Sequence, residues 1–265
     1  MPFWEAENLE KNIRVSRTNR QGCELPRDDN FQQYAIHITK GSGGNGINTV
    51  YQVGSTGTLP TGTAADLANV PITILPGFPN TTVSTSTAFP FGIWFANETT
   101  LYVCDELDGT LVSPALNGNV ADAQTLATAG LQKWSLVNGT WKIDYVSQDG
   151  LNIGVPYSVA NYPAALNPAT DGCRNIAGKH NPDGTVTIYA VTSTISTNGD
   201  QGADPNKLVK VTDLLSATTP PTADGDHDRD DRIGHFVTIH SAKVGGVSRG
   251  GALAPKDHDD NDDRL

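Results

Sequence analysis

Three kinds of short apolar run recur in the same order along this chain, and that recurrence constrains the fold more than any single motif does. The first kind is IHIT (36–39), LYVC (101–104) and IYAV (188–191). The second is GINTVYQVG (46–54), GLQKWSLVN (130–138) and PNKLVKVTD (205–213), which set Val50, Trp134 and Val209 at one internal position. The third is PITIL (71–75), WKIDYV (141–146) and FVTIH (236–240). The runs alternate apolar with polar residues or are short and continuous, and Gly, Pro, Asn, Asp and Thr separate them, so they read as β-strands. The middle copy adds an opening run, FGIWF (91–95), and an Asn138-Gly139 pair, which signals a two-residue hairpin turn. Only residues 121–128 approach a helical period.

A four-stranded antiparallel meander cannot bury both of its faces alone and must stack on a neighbour, so its recurrence predicts an all-β, β-propeller-like fold of four-stranded blades. Successive copies begin at 36, 101 and 188, wider than the roughly 40–45 residues of a compact blade. The excess falls in long connections, 108–128 and 196–204, where such folds display binding groups. Three blades plus an opening strand at 247–253 fall short of the roughly four to eight blades that close a ring. The expectation is therefore an incomplete or fragmentary ring, with open blade edges through which a homo-oligomer can form. Residues 1–30 read as a polar N-terminal segment, 31–255 as the blade domain and 256–265 as an acidic disordered tail.

Acidic residues outnumber basic ones 29 to 18, giving a formal charge of −11. No broad attraction to phosphate backbones or anionic lipid arises from that balance, which argues against nucleic acid and membrane as partners. No run reaches the 18 or so apolar residues of a membrane span, and the first thirty residues do not have the pattern of a signal peptide. Cys23, Cys104 and Cys173 are an odd, widely spaced set without a CxxC pair, so they imply neither a disulfide framework nor a zinc ribbon. Cys104 reads as a small buried residue of an apolar run, and a Cys104–Cys173 bridge is the open alternative.

Residues 224–232 hold five Asp and two Arg, and residues 256–264 hold five Asp, one Lys and one Arg. In the first of these, Asp224, Asp226, Asp228 and Asp230 alternate, so every second carboxylate can turn toward a hard cation; Ca²⁺ is the candidate ligand, against a solvated like-charge loop. As an EF-hand the segment fails, because Asp231 stands at the turn glycine and Val237 at the closing glutamate. The GVSRG string at 246–250 fits the GxSxG expression of a hydrolase elbow around Ser248. Its context is wrong, since an elbow needs a buried strand before it and a helix after it, and Pro255 breaks the stretch where that helix would run. GSGGNG (41–46) lacks the GK[ST] ending of a phosphate loop. His235 and His240 are an odd number apart, so on one strand they point to opposite faces. Asn80, Asn97 and Asn138 begin glycosylation sequons at expected turns, relevant only to a eukaryotic secreted protein.

FPFGIWFANETTLYVCDE (89–106) resembles the opening half of a blade in NHL-type and SMP-30-like propellers. The segments at 38–54, 130–141, 154–172 and 199–213 resemble an uncharacterised group of secreted, mostly bacterial proteins with propeller-like repeats; this likeness runs from about residue 29 to 255. Members of that group are longer at the N-terminus and carry a signal peptide, so this chain resembles their C-terminal part. The resemblance implies an extracellular location and no particular reaction. By likeness to SMP-30-like enzymes, Asp105, Glu106 and Asn175 are candidates to hold a divalent metal in a central channel. Two functions are then expected. One is a non-catalytic extracellular binding or scaffold protein that recognises a protein or carbohydrate ligand through its long loops. The other is a Ca²⁺-dependent hydrolase or lactonase of SMP-30 or propeller-phytase type.

Overall fold

The computed structural model describes residues 46–54, 62–81, 88–107, 128–196, 202–221, 232–250 and 253, together with the backbone of 35–39. Among these, eleven strands form three antiparallel sheets. The first sheet runs β1 (Ala35–Thr39), β2 (Thr49–Val53), β3 (Ile72–Ile74). The second runs β4 (Pro90–Asn97), β5 (Thr100–Asp105), β6 (Gly130–Val137), β7 (Thr140–Ser147). The third runs β8 (Ala169–His180), β9 (Thr185–Ile195), β10 (Lys207–Leu214), β11 (Val237–Ser241). Each sheet is a meander of sequence neighbours, and the three recurring kinds of run become β1, β5, β9, then β2, β6, β10, then β3, β7, β11. No closed ring is seen among the described residues.

Two features depart from the sequence pattern. The third sheet opens with β8, a twelve-residue strand that periodicity did not single out. Of the strand expected at 247–253, the described residues 247–250 and 253 join no sheet; the side chains of Asn175 and Asn206 take up backbone groups of Ser248 and Gly250. The expected helical stretch lies outside the described residues except for Thr128. A one-turn helix, α1 (Ala64–Leu67), is started instead by a capping box in which Thr63 and Asp66 exchange hydrogen bonds. Asn138 and Gly139 turn β6 into β7 with φ of 51° and 77°, the left-handed pair that a tight hairpin requires.

The middle sheet is covered on both faces. All six residues of β5 are buried, and they alternate between two cores. Leu101 and Val103 join Val50, Leu75, Phe78, Phe95, Trp134 and Trp141 on the side of the first sheet. Tyr102 and Cys104 join Leu131, Ile188, Ala190, Val209, Val211 and Phe236 on the side of the third. A strand buried on both faces has no polar alternation to keep, which is why LYVC is a continuous apolar run. Trp134 stacks on Phe78 at a centroid distance of 4.1 Å, tying the middle sheet to the turn after β3. Trp134 and Val209 thus face the sheet before their own, whereas Val50 faces the sheet after it. The aligned positions of the first and later copies differ by one residue of register, enough to reverse a side chain's face.

The middle and third sheets meet almost backbone to backbone along their first strands. A Cβ on Gly92 of β4 would lie 2.1 Å from the carbonyl oxygen of Arg174, and one on Gly172 of β8 would lie 2.2 Å from that of Asp105. One on Gly178 would enter the Trp94 ring at 2.4 Å. Beside these glycines Cys104 of β5 and Cys173 of β8 form a disulfide with a Cα–Cα distance of 5.0 Å. Cys104 is therefore not an isolated buried thiol, as its apolar run led one to expect: it is cross-linked to Cys173, and Cys23 lies outside the described residues. Farther along the same interface Lys133 of β6, 1% exposed, donates to Asp213 Oδ2 of β10 at 3.0 Å and to the Leu214 carbonyl at 2.7 Å. Tyr102 and Tyr145 donate to the same carboxylate at 2.6 Å. Burial and the Asp213 charge push both phenols well above their ordinary values, so they remain donors. The ion pair is enclosed with its hydrogen-bonding capacity used, the condition under which a buried pair is tolerated.

The glycine contact makes a specific demand. Gly92→Ala is expected to lower the unfolding free energy by about 3 kcal/mol in a denaturant melt, because the methyl group meets a fixed backbone oxygen. Gly246→Ala, whose Cβ would come no closer than 3.3 Å to any atom, should stay within about 0.5 kcal/mol of the unsubstituted chain. Equal effects of the two substitutions would refute the close-approach argument.

Candidate functional site

The two strands that approach so closely are also the two that carry β-bulges beside one another. In the β4–β5 ladder Pro90 pairs with Asp105 and Gly92 with Cys104, leaving Phe91 as the extra residue. In the β8–β9 ladder Cys173 pairs with Thr192 and Ile176 with Ala190, leaving Arg174 and Asn175 opposite Val191 alone. A bulge re-aims side chains that a regular ladder would send to alternate faces. Phe91, Arg174 and Asn175 all line one cavity of about 240 Å³, completed by Gly202, Asn206 and residues 247–250.

Arg174 is fixed from three directions. Its Nε donates to Glu106 Oε2 at 2.6 Å, its guanidinium carbon lies 5.0 Å from the centre of the Phe91 ring, and Gly202 approaches so closely that a Cβ there would strike Nη1. The far wall is the 247–250 segment, strapped down by two asparagines. Asn206 accepts from Ser248 N at 2.7 Å, donates to Ser248 O at 3.0 Å and donates to Thr192 O at 3.1 Å. Asn175 Oδ1 accepts from Gly250 N at 3.2 Å. These side-chain bonds satisfy backbone groups that a strand ladder would otherwise use, which explains why the segment joins no sheet. Ser248 sits in that strap, not on a strand-to-helix elbow.

The channel candidates divide. Asn175 lines the cavity, and Glu106, 1% exposed, stands behind Arg174. Asp105 points elsewhere and is fully buried. Its oxygens accept from Phe89 N at 2.8 Å, Leu107 N at 3.0 Å and Gln132 Nε2 at 3.1 Å. Burial pushes the Asp105 carboxyl up to about 7, opposed by the donors of Phe89 and Leu107. Gln132 in turn accepts from Trp134 Nε1 at 2.9 Å, so Asp105 anchors the chain entering β4 and the end of β5 to the next strand. Among the described residues no three His, Cys, Asp or Glu side chains gather into a metal-ligating group. Asp224, Asp226, Asp228 and Asp230 lie outside the described residues. Asn80 and Asn138 are exposed on turns, and Asn97, half-buried, accepts from Thr99 N at 2.9 Å in the β4–β5 hairpin.

Two smaller polar clusters involve residues outside the cavity lining. His235 Nδ1 lies 2.8 Å from Asp149 Oδ2 and Arg232 Nη2 lies 3.4 Å from it. Tyr162 donates to Asp204, a bond that pushes its phenol up to about 12, while Lys207 stands 3.9 Å over the Tyr157 ring. Phe91, Arg174, Asn206 and Arg249 were not singled out from the sequence. The bulges that bring the first two together leave no periodic signal, and Arg249 was legible only as part of a rejected serine motif. No known protein family, curated protein or solved structure matches this chain. Among the described residues no helix is long and apolar enough to cross a membrane.

Asp105 supplies a pH test. Its folded value near 7 stands above the 3.8 of an unperturbed group, so the folded state binds the proton more tightly than the unfolded chain. Its contribution to stability therefore falls as pH rises from about 4 to about 7 and is flat on either side, by at most about 1.4 kcal/mol per pH unit. The difference in unfolding free energy between the unsubstituted chain and Asp105→Asn should track that slope. A difference that does not change across the window would count against a buried, protonated carboxyl at this position.

Proposed function

We propose that this chain is a non-catalytic extracellular binding protein, built of propeller-like blades, whose ligand occupies the cavity between β4, β8 and the 247–250 strap. The observation that carries this reading is the composition of the cavity. It is lined by two arginines, two asparagines, a serine and apolar residues, and among the described residues no His, Asp, Glu, Cys or Lys stands at its surface to serve as a general base or metal ligand. Of the two carboxylates expected at a channel, Asp105 holds backbone donors and Glu106 holds Arg174. Three successive antiparallel meanders, with a middle sheet buried on both faces, support propeller-like stacking. The Cys104–Cys173 bond supports an oxidising, extracellular setting, since such cross-links are rare where thiols are kept reduced. Of the two long connections expected to serve recognition, the second reaches the cavity through Gly202, and residues 108–127 lie outside the described residues. The Ca²⁺-dependent hydrolase is the competing outcome of the test.

Ligand-observed NMR with a mixture of neutral and charged monosaccharides should give saturation transfer to at least one component. Val247→Trp, which fills the cavity, should remove it. Transfer that survives this substitution would place the ligand elsewhere. In parallel, lactone and phosphate-ester hydrolysis should be the same in Ca²⁺ and in EDTA; Ca²⁺-dependent turnover lost in Asn175→Ala would establish the hydrolase instead.

A further inference from the structure

The charge and donor pattern of the cavity specifies more than that something binds. Arg174 and Glu106 neutralise each other through the 2.6 Å contact, and the stacking of Arg174 on Phe91 makes a flat, fixed wall. Arg249 is different. It lines the cavity from the strap, its residue is exposed, and its guanidinium has no partner among the described residues. Both amide donors of Asn206 are used, by Ser248 O and Thr192 O. Asn175 uses its oxygen for Gly250 N, which leaves its Nδ2 as a donor without a partner among the described residues. The lining therefore offers a guanidinium fork and an amide donor, with one positive charge in excess and, among the described residues, no carboxylate facing them. That excess stands out in a chain of net charge −11.

We infer that the cavity binds a small organic monocarboxylate of monosaccharide size, a sugar acid being the fitting class, with its carboxylate held by Arg249 and assisted by Asn175 Nδ2. This rests on the reading of the cavity as the binding site. A planar carboxylate matches the two parallel N–H groups of a guanidinium in a charge-assisted pair, whereas a neutral sugar hydroxyl accepts only a single, weaker hydrogen bond and an ammonium is repelled. A single excess charge matches a monoanion better than a phosphate dianion. The cavity volume of about 240 Å³ lies just below the roughly 300–1,000 Å³ of drug-sized ligand sites, which suits a ligand of one sugar ring. The site is also preorganised: the bulges fix Arg174 and Asn175, and the two asparagine clamps fix the backbone on either side of Arg249, so little ordering remains to be done on binding.

Calorimetric titration of the whole chain at low ionic strength with D-glucuronate, D-glucose and inorganic phosphate tests this. Glucuronate should bind at least about tenfold more tightly than glucose, and Arg249→Ala should weaken it about tenfold or more, the scale of a lost charge-assisted hydrogen bond. Arg249→Lys, which keeps the charge without the fork, should fall between. Arg249 is exposed, so neither variant threatens folding, and an unchanged thermal melt verifies that. Three results overturn the inference: glucose binding as tightly as glucuronate, phosphate binding as tightly as glucuronate, or no loss in Arg249→Ala. If Val247→Trp still abolishes binding in any of those cases, the ligand class fails while the cavity remains the binding site. Absence of glucuronate binding to the unsubstituted chain overturns the inference as well, and the NMR mixture then decides whether another ligand occupies the cavity.

Discussion

The close approach of β8 to β4 and β5 is the contact on which the remainder of this architecture depends. Three glycines, Gly92, Gly172 and Gly178, remove the side chains that would hold the two sheets apart, and the Cys104–Cys173 bond closes the same seam covalently. A gap as narrow as this leaves no room for repacking, because interiors are already near crystal density. The cross-link also restricts the unfolded chain across a span of 69 residues, a stabilisation of about 4 kcal/mol in the chain-entropy account. With the seam fixed, the larger side chains farther out, among them Tyr102, Leu131, Ile188 and Val209, fill the wedge that opens between the sheets.

The same seam generates the polar features. The two strands that meet backbone to backbone each carry a bulge where they come together. Those bulges place Phe91, Arg174 and Asn175 around one cavity. Deeper between the sheets, Lys133 and Asp213 join β6 to β10 with two tyrosines completing the carboxylate's shell. Such a network costs desolvation, and it ties one sheet to the next in a single register, since a one-residue slip of β10 would leave Lys133 buried without its partner. Rigid packing at the seam and a rigid polar wall at the cavity are two results of one geometric constraint.

How much of this was legible in the sequence varies element by element. LYVC (101–104) and the Asn138-Gly139 turn were readable because burial on both faces and left-handed φ each leave a local signature. β8 was not readable, since ATDGCRNIAGKH mixes glycine, charge and small residues and shows no alternation. Its glycines lower strand propensity, yet they are the residues that the seam requires. The described part of the stretch expected as a strand at 247–253 departed in the opposite sense: its composition resembles a strand, but Asn206 and Asn175 bond the backbone of Ser248 and Gly250 through side chains. For the candidate site, Asn175 was reached through a resemblance that placed it at a metal channel, and in the structure its side-chain oxygen holds Gly250 N and it lines the cavity. Asp105 and Glu106 were noticed as acids at a strand end; their donors come from residues far away in sequence, so their role as internal anchors had no local sign.

By itself the sequence determined the class of fold, the antiparallel meanders and most strand positions, because the alternation of apolar residues and the chemistry of turns act within a few residues of one another. It also determined the net acidic character, which no folding changes. Only the tertiary structure decided that Cys104 meets Cys173, that three glycines sit where two backbones nearly touch, and that Arg174 and Arg249 share a cavity while Asp105 and Glu106 are consumed inside. Each of these depends on the distance between segments many residues apart. That distance is set by how the sheets pack on one another, and no periodicity within a strand records it.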